Sequence, residues 1–90
     1  MPKLVFTESY NKKAAKFLRK HGELKNQYLK TLELLELNPA HPSLRLHKLK
    51  GKYNDLYSAS INMNYRITLI FLILDDKIVP VDIGTHSEIY

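Results

Sequence analysis

Ninety residues suffice for one hydrophobic core and are too few for two, and 44% hydrophobic with 26% charged residues is a globular rather than a disordered composition. Cysteine is absent, which excludes a disulfide scaffold, a thiol nucleophile and any Cys-ligated zinc or iron–sulfur centre. Fourteen Lys and Arg against nine Asp and Glu leave +5 at neutral pH, a surplus that suits a polyanion or an acidic protein partner.

Taken in chain order, Lys3 to Phe6 is a short apolar run and reads as a first strand. Thr7 and Ser9 are both able to cap a helix, since a hydroxyl oxygen accepts an otherwise unpaired helix N–H. Tyr10, Ala14, Phe17, Leu18 and His21 then fall on one helical face, and Gly22 is placed to end the helix in a left-handed conformation. Lys12, Lys13, Lys16, Arg19 and Lys20 project elsewhere and read as a solvated face. A second helix repeats the spacing with Leu24, Tyr28, Thr31, Leu32 and Leu35. Leu29, Leu34 and Leu37 widen its apolar side, and Asn38-Pro39 stops it. The shortness of the connection around Gly22 makes the two helices antiparallel neighbours.

From Ala40 to Asn54 the sequence is irregular, and beyond it the period changes to two. Leu56 to Ile61 reads as a strand, Asn62-Met63-Asn64 as a hairpin loop using the tolerance of Asn for positive φ, and Tyr65 to Leu74 as a long central strand. On that strand Tyr65, Ile67, Leu69, Phe71 and Ile73 share an apolar face. Arg66 and Thr68 open the other face, which begins polar and so looks onto solvent or a site. Asp75-Asp76-Lys77 turns the chain into a last strand, Ile78 to Ile83, where Pro80 requires an edge or a bulge. The expected fold is α+β in the order β-α-α-β-β-β, a single domain over residues 1–90 with its helices on one sheet face. The longest apolar run, Ile67 to Leu74, is far short of the ~20 residues of a membrane helix, and the N-terminus turns polar at Thr7 without a signal-peptide core. The expectation is a cytoplasmic protein that does not contact a membrane.

Few residues stand out as chemistry. The Arg66 guanidinium is a fixed fork of donors suited to phosphate or carboxylate, or else one half of an interstrand ion pair. His86, just past the last strand, and His47, flanked by lysines, are able to move protons near neutral pH, or else simply bond to neighbours such as Glu88. His41 reads as exposed and His21 as structural, near a helix C-terminus where a cation is favoured. Arg45, Lys48, Lys50 and Lys52 interleave with Leu44, Leu46, Leu49 and Tyr53, which suits either a polyanion-facing edge or a solvated loop pinned by its leucines. There is no Gly-rich phosphate loop, no His-Glu-x-x-His and no dinucleotide fingerprint. His86 with Glu88, or Asp75 with Asp76, lacks a third ligand at metal spacing, so neither metal nor cofactor is expected.

The order of elements at this length, with Leu49-Lys50-Gly51, Leu56-Tyr57-Ser58, Asn64-Tyr65-Arg66-Ile67 and Asp82-Ile83-Gly84-Thr85-His86-Ser87-Glu88-Ile89-Tyr90, resembles the RelE/ParE superfamily of type II toxins. The terminal Gly-Thr-His-Ser-Glu-Ile-Tyr is most similar to the YafQ branch. The resemblance implies a ribosome-dependent endoribonuclease that cuts messenger RNA and is silenced by a cognate acidic antitoxin, with operator DNA met only through that antitoxin. It implies catalytic roles for His47, Arg66, His86 and Tyr90. Ser60 and Asn64 stand where YafQ-like toxins carry histidine and aspartate, and Asp82 where they carry arginine. Tyr57 and Ala59 replace two lysines of RelE-like members. This reduced set fits metal-independent attack by the RNA's own 2′-hydroxyl. His86 would act as acid or base, His47 or Tyr90 as its counterpart and Arg66 as the phosphate clamp. Arg45, Lys48, Lys50 and Lys52 would hold RNA backbone, with Tyr65 or Tyr90 stacking on a base. The same resemblance admits a ParE-like gyrase inhibitor that cleaves nothing, or a degenerate toxin that only holds its antitoxin and aids repression.

Overall fold

The computed structural model describes residues 2–49 and 56–85. In chain order these form β1 (Lys3–Leu4), α1 (Glu8–Lys20), a 3-10 turn (Gly22–Leu24), α2 (Lys25–Leu37), a second 3-10 turn (Pro42–Leu44), β2 (His47–Lys48), β3 (Tyr57–Ser60), β4 (Tyr65–Leu72) and β5 (Lys77–Thr85). The sheet runs β1-β5-β4-β3-β2, with β1 parallel to β5 and every other pairing antiparallel. The α+β class and the meander are as expected. The fifth strand is not: β2 lies in the segment that reads as irregular, and two residues of backbone pairing with β3 leave no period in the sequence.

Thr7 is the helix cap, its Oγ1 accepting the Tyr10 N–H at 3.1 Å. Gly22 does not end α1 in a left-handed conformation. The helix closes at His21, whose N–H bonds the Phe17 carbonyl, and Gly22 opens a 3-10 turn that feeds straight into α2. The β3–β4 loop also differs from expectation. Neither Asn62 nor Asn64 has positive φ. Instead the Asn62 carboxamide oxygen accepts the N–H groups of Asn64 and Tyr65, both at 2.9 Å, and closes the loop with a side chain. At its other end β4 stops at Leu72. Ile73 and Leu74 belong to the following turn and are exposed, with Asp76 carrying the positive φ.

The core lies between the helices and one face of the sheet. Tyr10, Ala14, Phe17, Leu24 and Tyr28 meet Ile67 and Ile83 at one end, and Leu35 and Leu44 meet Ala59, Leu69 and Ile78 at the other. The Tyr10 and Tyr28 hydroxyls bond at 2.9 Å and tie α1 to α2, and burial pushes both phenols above their ordinary range. Leu29 and Leu37, read as core, are half exposed, so the apolar stripe of α2 is narrower than its leucines suggest. Pro80 obeys both conditions set for it. Between Thr68 and Leu69 the register with β5 slips by one residue, and β1 accompanies β5 only as far as Ile78. The missing N–H therefore falls at a bulge on an open edge.

Candidate functional site

Side chains alternate along a strand, so Ser58, Ser60, Arg66 and Thr68 lie on the face turned away from the helices. Cross-strand register puts His47, Ser58 and Thr68 in one row, and Ser60, Arg66 and Gly84 in the next. Arg66 is thus flanked by a serine and a glycine. Ser58, Ser60, Thr68 and Gly84 around it are buried, and Arg66 itself is half-buried.

The half-buried Arg66 makes no salt bridge among the described residues, so the interstrand ion pair is not formed there. Its Nε, Ser58 Oγ and Thr68 Oγ1 are buried without a hydrogen-bond partner among the described residues. A buried polar atom left unpaired costs roughly 1–3 kcal/mol, so three on adjacent positions of paired strands are a concentrated expense for a small domain. Ser58 is 0% exposed and Thr68 3%. We expect Thr68→Val, which keeps shape and removes the hydroxyl, to raise stability by about 1 kcal/mol in urea titration. A comparable loss would show that the hydroxyl is bonded in the native state.

His47 is exposed at the edge of this face, and its Nδ1 lies 2.8 Å from the Arg45 carbonyl oxygen. A carbonyl only accepts, so Nδ1 is the donor here, and in the neutral imidazole the lone pair is left on Nε2. Arg45 itself sits at φ 47°, ψ 39°, where the preceding 3-10 turn ends. Such a conformation costs a non-glycine residue on the order of 1–3 kcal/mol, and here it turns the carbonyl toward the imidazole. Two strand spacings and a two-residue offset place the His47 and Arg66 Cα atoms about 12 Å apart, within the combined reach of their side chains around one sugar–phosphate unit.

Tyr65 is not part of this face. It lies on the helix side, its ring 5.3 Å from that of Phe17 and 4.9 Å from that of His21, so it is not positioned to stack a base beside Arg66. His21 is structural as expected, half-buried between those two rings. His41 caps the second 3-10 turn through Nδ1, which accepts the Ser43 N–H. Arg45 and Lys48 are exposed beside His47. Lys50, Lys52, His86 and Tyr90 lie outside the described residues, and the expected convergence of Arg66 with His86 lies there with them. Sequence reasoning placed Thr68 on the polar face of β4 but not its burial, and it missed the hydroxyl of Ser58. The signal for Ser58 is the alternation of small polar residues with Tyr57 and Ala59 on a strand whose other face is core. Among the described residues no three His, Asp or Glu side chains are grouped to hold a metal ion, and no helix is long and apolar enough to cross a membrane.

Residues 2–90 match the family model described as the bacterial toxin of a type II toxin–antitoxin system, YafQ. No individually curated protein matches the chain by sequence. Among solved structures, YafQ from E. coli strain BL21(DE3) aligns with TM-score 0.79 at 15% identity, covering 100% of this chain and 99% of that one. A copper-bound mutant toxin from Helicobacter pylori aligns with TM-score 0.70 at 27% identity over 100% of both chains. The E. coli DinJ–YafQ complex gives 0.71 at 18%, covering 100% of this chain and 99% of its counterpart. With the family model spanning all but the first residue, the chain belongs to the YafQ family of type II toxin–antitoxin toxins.

Proposed function

We propose that this toxin cleaves messenger RNA on the ribosome by metal-independent attack of the 2′-hydroxyl on the adjacent phosphate. The observation that carries the reading is Arg66, whose Nε has no partner among the described residues, beside the orphaned hydroxyls of Ser58 and Thr68 and on the same sheet face as His47. His47 Nε2 exchanges the proton with the 2′-hydroxyl or the leaving 5′-oxygen. Arg66 stabilises the charge that grows on the non-bridging oxygens. His86 or Tyr90 completes the acid–base pair. A single acid–base group contributes roughly 10²–10⁴-fold, so positioning of the message by the ribosome supplies much of the remaining acceleration and free RNA is cut poorly. The partner is a cognate antitoxin of acidic character. The +5 chain favours one electrostatically, and the DinJ–YafQ complex pairs the same fold with a second protein. Operator DNA is reached only through that antitoxin, and the site of action is the cytoplasm, where ribosomes translate.

Induction followed by mapping of RNA 5′ ends tests this. Arrested translation with new ends inside codons is the expected result. Intact messages with an induced DNA-damage response would replace it with gyrase inhibition, and unimpaired growth would replace it with a protein that only holds its antitoxin.

A further inference from the structure

Charge is unevenly spread along this chain. Residues 8–25 carry six Lys or Arg against two Glu, so most of the surplus of +5 sits in one fifth of the sequence. The fold arranges part of it around a cleft of about 350 Å³ between α1 and β5, lined by Lys13, Lys16, Lys20 and His21 with Phe17, Asp82 and Ile83. The three lysines recur at helical spacing along one side of α1, extending about 10 Å along its axis. Lys16 and Lys20 are exposed and make no ion pair among the described residues. The cleft lies on the helix side of the sheet, across the sheet from the face that presents Arg66.

We propose that this cleft is a second RNA contact, gripping a phosphodiester backbone away from the linkage that is cut. The assignment rests on the RNA-directed function proposed above and adds to it a docking surface separate from the chemistry. Lysine ammonium groups are point charges suited to phosphate oxygens, and three of them in one row match the repeating charge of a phosphodiester backbone. The aromatic rings of the wall are packed on one another, His21 4.7 Å from Phe17 and 4.9 Å from Tyr65, so the contact is made to backbone phosphates rather than by base stacking. Three groups there are already engaged, His21 among them, its Nδ1 3.5 Å from the Tyr65 hydroxyl and 3.7 Å from the Glu23 carboxylate. The Lys13 ammonium lies 3.3 Å from the Val81 carbonyl oxygen at the β5 bulge, and Asp82 Oδ1 accepts the Ile83 N–H at 2.8 Å. Lys16 and Lys20 are therefore the informative pair.

The probe is a 2′-O-methyl oligoribonucleotide, which lacks the attacking hydroxyl and so is bound without being cut. Its affinity is measured against salt concentration by fluorescence anisotropy. Each phosphate contact on a single strand contributes about 0.7 to the salt slope, so Lys16→Ala with Lys20→Ala lowers the slope by about 1.4 and the affinity roughly tenfold at 0.1 M salt. Lys16→Arg with Lys20→Arg keeps both, and because the side chains are exposed the melting curve is unchanged in either variant. Unaltered slope and affinity in the alanine variant would overturn the proposal. So would a loss seen only for poly-glutamate, which would assign the cleft to an acidic peptide. Wild-type protein that binds the probe through these lysines but cuts no message on ribosomes would remove the cleavage reading and leave the cleft standing. Cleavage with an unaltered slope would do the reverse.

Discussion

Replacing Arg66 with alanine lowers ribosome-dependent cleavage by roughly 10²–10³-fold, about 2.7–4 kcal/mol of transition-state stabilisation, the usual effect of removing one donor aimed at developing charge. The proposed role rests on the place of Arg66 on the central strand β4, with Ser60 and Gly84 as its cross-strand neighbours on the same face. Arg66→Lys restores only part of the rate, since an ammonium supplies charge without the planar fork. Stability should not fall with activity. Nε has no bond to lose among the described residues, so the urea midpoint of the alanine variant stays level or rises. Single-turnover cleavage on programmed ribosomes, with urea melts in parallel, separates the two effects. An undiminished rate would take Arg66 out of the mechanism.

His47→Asn is the second large effect, a loss of roughly 10²–10⁴-fold in cleavage. Asparagine keeps a donor at the δ position, able to satisfy the Arg45 carbonyl, and lacks the Nε2 lone pair. The strained Arg45 backbone, β2 and its pairing with Ser58 all survive, so the fold is unchanged and the fall in rate reports proton transfer alone. An active His47→Asn protein would shift the acid–base work to His86 and Tyr90. Combining Arg66→Ala with His47→Asn costs less than the sum of the single losses if both act on one transition state.

Much of the α+β framework is written in local signals. Alternation along Tyr65 to Phe71 sorts the two faces of β4, and the stripe of Tyr10, Ala14 and Phe17 identifies the buried side of α1. Pro80 announces a break in pairing through a missing donor, whichever neighbour it has. The errors share a cause. Gly22, the asparagine loop and the leucines of α2 follow residue preferences in the sequence reading, and in each case a specific contact that preferences do not encode, local for the first two and tertiary for the third, decides the outcome. The 3-10 turn runs on into α2, the Asn62 side chain reaches Tyr65, and the sheet offers too little surface to cover Leu29 and Leu37.

The sequence by itself determined the number and kind of the main elements, the polarity of each face of β4 and the absence of thiol chemistry, because periodicity and composition act through neighbours a few residues apart. Only the tertiary structure decided that His47 pairs onto the sheet at Ser58, that Ser58 and Thr68 stand as orphans near Arg66, and that Tyr65 packs on the opposite side with Phe17. Those outcomes depend on strand register and on which face the helices cover, and both are set by contacts between segments far apart in the chain.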